Sequence, residues 1–186
     1  MSSSKAEMVT IPQLIGDKLY LRPLTAQDIS KSYHWYLQSD PHALSAQPAR
    51  ILTATSAGEA FKQEAATDAQ QSFAIVRKAD EQMVGQIRYY NVNPLNHSAE
   101  LFVLIDPDER RKGLAKAAVR LLSRYLFRYR DINKVYFSAS DLNTAAMKLA
   151  ETLHFQRDAT LRHHLFYNGE YHDQYIYSLL RFEFSD

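Results

Sequence analysis

Residues 106–119 read DPDERRKGLAKAAV, and the fold turns on how this stretch is understood. Pro107 has no N–H to give to a sheet, so the strand before it stops near Asp106. Helical periodicity starts at Leu114. Apolar side chains recur at 114, 117, 118, 121, 122, 125 and 126, the spacing of a helix with one buried face. Between strand and helix lie Arg110, Arg111, Lys112 and Gly113. The first amides of a helix have no partner inside it, and the helix dipole adds partial positive charge there. With a glycine that permits close approach and three cations alongside, the corner suits an anion such as a phosphate. An exposed basic turn without a ligand is the competing interpretation. The patterns GxxxxGK[ST] and GxGxxG are both absent, so neither a Walker loop nor a dinucleotide fingerprint accounts for it.

Working outward, the residues before the corner alternate. Residues 99–105 (AELFVLI) predict a strand with Leu101, Val103 and Ile105 on one face and Glu100, Phe102 and Leu104 on the other. Both faces are largely apolar, which places the strand centrally. Upstream, residues 72–77 and 83–90 predict a hairpin through 78–82, and residues 19–24 (LYLRPL) a first strand. Thr25 with Asp28 forms a variant capping box, opening a helix through Tyr36. Residues 40–54 read as loop. Ser56 and Glu59 open a second helix to about residue 66, and a turn follows at 67–71. Downstream come a strand at 134–139 and a helix capped by Asn143. Asn168-Gly169, a strong hairpin signal, joins 159–166 to 171–182. The order predicts an α/β (α+β layered) fold: a mixed, mostly antiparallel central sheet flanked by helices and closed by a C-terminal β-hairpin.

The totals narrow the function. With 186 residues and 46% apolar content, the chain buries a core of ordinary size. A net charge of +1 gives no global field toward nucleic acid or a membrane, so neither is expected as a partner. The chain has no cysteine, which removes disulfides, thiolate zinc sites and cysteine nucleophiles and fits a reducing compartment. The start, MSSSKAEMVTIPQLIG, lacks the apolar core of a signal peptide, and no run approaches about 18 apolar residues. The expectation is a cytoplasmic protein, with residues 1–15 a flexible N-terminus and residues 16–186 a single domain.

Arg110-x-x-Gly113-x-Ala115 resembles the (Gln/Arg)-x-x-Gly-x-(Gly/Ala) signature of the GNAT acetyltransferases. A second motif of that family is similar too: Asn143-x-x-Ala146 opens a helix ending in Leu153-His154-Phe155, where the family has Leu-Gly-Phe. The resemblance runs from about residue 19 to 182 with the element order in step. It implies an acetyl-CoA-dependent N-acetyltransferase acting on a primary amine of a small molecule or a protein N-terminus. Residues WYLQSDP at 35–41 and the terminal hairpin resemble the ribosomal-protein N-acetyltransferase branch. The oligomeric state, including a homodimer, stays open.

The resemblance also implies roles. Backbone groups of Val103, Leu104 and Ile105 would bind pantetheine. Arg110, Arg111, Lys112, Gly113, Leu114, Ala115 and Lys116 would hold the pyrophosphate. Asn143 and Ala146 would line the cofactor arm, although Asn143 serves as a helix cap in any case. Glu100, an acid within an apolar run, would be the base; a solvated strand end is the plainer alternative. Arg162, His164, Tyr171 and Asp173 would touch the acceptor. Where many members carry a proton-donating tyrosine this chain has Ala150, so no general acid is assigned. That departure also leaves room for a non-catalytic acyl-CoA-binding or interaction module. His163 and His164 are adjacent, and in a strand would face opposite ways, so no metal site is expected.

Overall fold

The computed structural model describes residues 14–39 and 71–185. The loop anticipated at 40–54 and the helix opened by Ser56 and Glu59 lie outside them, as do residues 1–13. Strand β1 (Leu14–Ile15) pairs with β2 (Leu19–Pro23), so the last two residues assigned to a loose N-terminus belong to the sheet. Helix α1 (Ala26–Gln38) follows, then β3 (Gln71–Arg77), β4 (Gln82–Asn93) and β5 (Ser98–Ile105). A 3-10 turn at Pro107–Glu109 leads into α2 (Leu114–Tyr129). Then come β6 (Lys134–Ser140), α3 (Thr144–Thr152), β7 (Gln156–Tyr167) and β8 (Glu170–Leu180). These strands form one sheet in the order β1-β2-β3-β4-β5-β6-β8-β7. Neighbouring strands are antiparallel except β5 and β6, which run parallel and are joined through α2.

Local chemistry explains the boundaries. The Thr25 hydroxyl accepts from the Asp28 N–H, and the Asp28 carboxylate accepts from the Thr25 N–H at 2.7 Å, so the capping box closes in both directions. Arg22 donates twice to the same carboxylate, at 2.6 and 3.1 Å. Asn168 and Gly169 have φ of +51° and +86°, the left-handed pair that a two-residue hairpin turn requires. Strand β7 starts three residues earlier than the alternation suggested, and β8 stops at Leu180, where a 3-10 turn at Arg181–Glu183 takes over.

The two faces of β5 go where the alternation puts them. Leu101 and Ile105 join the main core, which includes Ile75, Ile87 and Val135 of the sheet and Ala118, Leu122 and Leu126 of α2. Leu104 lies in a smaller core on the opposite face, where Trp35 of α1 covers Ala74, Val76 and Met83. One expectation fails. Residues 161–165 do not alternate: Leu161 pairs with Gln174 and Leu165 with His172, so four steps on β7 match two on β8. His163 has φ of +50° inside this bulge, and simple opposite-face reasoning does not hold for His163 and His164.

Gly85 sits where β4 presses on β5. A Cβ there would lie 2.6 Å from the Leu104 carbonyl oxygen and 2.9 Å from Ile105 Cδ1. Gly85→Ala is therefore expected to cost about 2 kcal/mol or more, read as a lower urea midpoint. For Asp28, burial pushes the carboxyl up, but the Arg22 guanidinium and the Thr25 donors outweigh it and hold it below the ordinary carboxylate range. Its stabilisation is thus present above the unfolded value of about 3.9 and is lost as pH falls through the folded one. Asp28→Asn should lower the melting temperature at neutral pH and flatten its fall below about pH 4; an unchanged acid slope would refute this.

Candidate functional site

The site is set by a failure of pairing. β5 and β6 are joined at three rungs, Ser98–Lys134, Ala99–Val135 and Glu100–Tyr136. β5 continues to Ile105 and β6 to Ser140, so the two strands part beyond Glu100. The Asp106 N–H donates to the Val84 carbonyl at 3.0 Å. Antiparallel pairs alternate, so Phe102 and Leu104 exchange their backbone bonds with β4. Leu101, Val103 and Ile105 then turn their N–H and C=O groups toward the opening. Of the three backbone positions implied by the resemblance, Val103 and Ile105 face the gap and Leu104 does not.

At the upper end of the opening stands the 106–113 corner. Asp106 accepts from the Asp108 N–H at 3.1 Å and starts the 3-10 turn. Arg111 and Gly113 both have positive φ, +62° and +76°. The first helical bond of α2 runs from the Ala117 N–H to the Gly113 carbonyl, which leaves the amides of Leu114, Ala115 and Lys116 outside the helical ladder. Gly113 is the helix N-cap and supplies no side-chain bond to them. Among the described residues, a Cβ on Gly113 would meet nothing within 4 Å, so they leave the corner open to a ligand.

The three adjacent cations are not equivalent. The Arg110 guanidinium donates to the Ile105 carbonyl at 3.4 Å and to the Ser39 hydroxyl, bracing the end of β5 against the end of α1. Lys112 donates to Glu109 at 2.9 Å, and Arg77 reaches the same carboxylate oxygen at 2.5 Å. Lys112 and then Arg77 hold the Glu109 carboxyl below its ordinary range. Arg111 is exposed and makes no hydrogen bond or ion pair among the described residues. Across the opening, Asn143 caps α3 by accepting from the Ala146 N–H at 3.0 Å. Ala146 packs on the main core, and Ala150 is fully buried in it, with no hydroxyl to offer at that place.

Glu100 lies at the last rung before the strands part, on the α1 side of the sheet. Its Oε2 accepts from Asn91 Nδ2 at 2.8 Å, and the Ser138 hydroxyl is 3.4 Å from Oε1. Tyr90 and Tyr136 pair with it from the two flanking strands. Burial, then the charge of Glu100 and a hydrogen bond to it, raises the Tyr90 phenol; burial, then Glu100, raises Tyr136. An open hollow of about 330 Å³ adjoins Tyr136, lined also by Asn96, Ser98, Lys134 and Ile176. Sequence reasoning missed Asn91, Tyr90, Tyr136 and Ser138, because only the strand register brings them to Glu100.

The four hairpin residues fall elsewhere. Arg162 and His164 are exposed in the β7 bulge, and Tyr171 stacks beside His163 and Phe166. Asp173 accepts from the His163 N–H at 2.9 Å and donates its own N–H to Asp141 at 3.2 Å. On β8 the residue level with Tyr136 is Ser178, so Asp173 is about 17 Å further along the strand and Tyr171 about 23 Å. The structure does not bring these four to Glu100. Among the described residues, no group of three or more His, Asp or Glu side chains could hold a metal ion, and no helix is long and apolar enough to cross a membrane.

A layered sheet with one parting parallel pair, a glycine-capped helix start beside it and a carboxylate at the fork is a fold that known proteins share. The family described as acetyltransferase (GNAT) domain matches residues 18–156. The chain belongs to the GNAT acetyltransferase family. It is 32% identical over 104 residues to a putative ribosomal N-acetyltransferase of Bacillus subtilis, covering 56% of this chain and 57% of that one. It is 27% identical over 99 residues to the spermidine N(1)-acetyltransferase of Vibrio cholerae, covering 53% and 57%. The chain thus spans just over half the length of these curated relatives. Among solved structures, the Vibrio cholerae spermidine N-acetyltransferase in complex with CoA and spermine superposes with a TM-score of 0.81 at 20% identity, over 90% of this chain and 98% of that one. The ribosomal L7/L12 α-N-protein acetyltransferase RimL in complex with coenzyme A gives 0.80 at 16% identity, over 91% and 98%. At these identities the likeness is one of fold.

The unequal cations make a testable difference. Arg111→Glu should weaken coenzyme A binding on the order of tenfold or more with little change in melting temperature. Arg110→Glu should lower the melting temperature as well, since it breaks the brace to Ser39. Calorimetry on both variants checks this; unchanged affinity in Arg111→Glu would refute it.

Proposed function

We propose that this protein transfers the acetyl group of acetyl-CoA to a primary amine, of a small molecule or a protein N-terminus. The parting of β5 from β6 beside an open helix start carries the proposal. The thioester supplies an activated acetyl group, because a thiolate is a far better leaving group than an alkoxide or an amide anion. The amides of Leu114, Ala115 and Lys116, with Gly113 and Arg111, receive the pyrophosphate. Val103 and Ile105 offer backbone groups to the pantetheine arm, and Val103 N–H, which faces the gap, donates to the acetyl oxygen as negative charge develops there. Asn143 caps α3 at the far wall, and Arg110 and Lys112 act by bracing the turn.

An amine is protonated at neutral pH and must shed a proton before it attacks. Glu100 takes that proton, directly or through water. Its place at the fork lets an amine approach from the α1 face while the cofactor arm occupies the gap, and this positioning supplies much of the rate. Ala150 donates no proton to the departing sulfur, so the thiolate leaves without a protein acid at that position. Arg162, His164, Tyr171 and Asp173 serve, in this proposal, only an acceptor long enough to reach the outer hairpin.

The buried Ala150 favours one other reading, a module that binds acyl-CoA without turning it over. Mass spectrometry with acetyl-CoA and a panel of amines, including polyamines and peptides with free N-termini, separates the two. A gain of one acetyl group on some amine, with Glu100→Gln lowering kcat/KM on the order of a hundredfold and leaving coenzyme A affinity unchanged, is expected. Binding without turnover on any amine would favour the module.

A further inference from the structure

The ladder between β4 and β5 is interrupted at one place. Tyr90 pairs with Glu100 and Asn93 with Ser98, so Asn91 and Val92 together stand against Ala99. Asn91 has φ of +49°, a left-handed conformation that asparagine tolerates better than most residues. In an unbroken strand Asn91 would face away from Tyr90, into the α2 side. The bulge reverses this. Val92 packs against the main core instead, and Asn91 joins Tyr90 on the α1 face, with its amide 2.8 Å from Glu100 Oε2. Bulges beside reactive groups commonly re-aim a side chain in this way.

Tyr90 is itself fixed from behind. The Arg88 guanidinium lies over the Tyr90 ring at 4.8 Å and over the Phe102 ring at 4.9 Å. Tyr90 thus stands directly across the ladder from Glu100, Asn91 bonds one carboxylate oxygen, and Ser138 meets the other from β6. We propose that the bulge at residues 90–93 is a carboxylate holder, in which Tyr90 and Asn91 are positioning residues that aim Glu100 across the fork. The proposal rests on the proposed function only in taking Glu100 as the base.

A carboxylate only accepts, so Asn91 must present its NH₂ and Tyr90 its O–H. Donors of this kind favour the ionised form, the form a base needs at rest. Arg88 on β4 and Tyr136 on β6 also face Glu100; Lys134, one pair further along β6, is held by Asp158 of β7. On α1, Lys31 is bonded to the Met83 carbonyl.

Three variants test this: Tyr90→Phe, Asn91→Gly, which suits the positive φ and keeps the bulge, and Asn91→Asp, which sets a like charge against Glu100. The readouts are the carbon-13 NMR signal of the Glu100 carboxyl in the whole protein, assigned with Glu100→Gln, and kcat/KM against pH. The signal should shift in each variant, and the acidic limb of kcat/KM should move to higher pH, furthest in Asn91→Asp. Activity lost below the limb should largely return above it, which a merely structural defect would not allow. An unmoved signal in folded variants overturns the inference, whether or not the protein turns over amines. A shifted signal in a protein that acetylates no amine overturns the proposed function and leaves the holder standing.

Discussion

Everything at this site depends on two parallel strands that pair for three rungs and then separate. Backbone groups in a sheet normally satisfy each other. Here one edge of β5 beyond Glu100 faces a gap instead of β6. Such a fork is stable because the rest of the sheet holds its two arms independently. β5 is locked to β4 along its length, and β6 to β8 through seven consecutive pairs from Lys134 to Ser140. Leu122 and Leu126 of α2 belong to the same core as Leu101 of β5 and Val135 of β6. The gap is therefore rigid, and a ligand that fills it restores hydrogen bonds that folding left unmade.

In the proposed reaction one strand carries most of the chemistry. Along β5 the order is the acid at the fork, the outward-facing backbone of Val103 and Ile105, then the turn that leads to the start of α2. The distance between the proposed base and the proposed phosphate corner is thus set by strand length. The charge run at 110–112 divides its labour: Arg110 and Lys112 secure the turn to α1 and to the Arg77–Glu109 pair, and Arg111 faces solvent. Charge counted from sequence overstates what is available to a ligand when neighbours have already claimed it.

Elements with a local cause were legible in the sequence. The period of 114–126, the Thr25–Asp28 box and the Asn168–Gly169 turn each follow from residues a few positions apart, and each is where the pattern put it. The strand stop at Pro107 and the helix start after Gly113 were legible for the same reason. What escaped was set by pairing across the sheet. Asn91 and His163 take positive φ because of register shifts, and nothing in their neighbours announces it. Ser138 reaches Glu100 from 38 residues away. The hairpin side chains illustrate the converse: Tyr171 and Asp173 were assigned by family resemblance, and only register shows how far along β8 they lie from the fork.

Strand β7 has one more consequence. It is the last strand of the sheet, and its outer edge has no partner among the described residues. A straight edge of twelve residues would be a template on which a second molecule's strand could add. Two register shifts cut its pairing with β8 into runs of two or three residues, and Arg157, Asp158 and Arg162 stand at or beside the breaks. An incoming strand would lose step at each break and meet charge there. The irregular hairpin thus presents a poor template for an added strand.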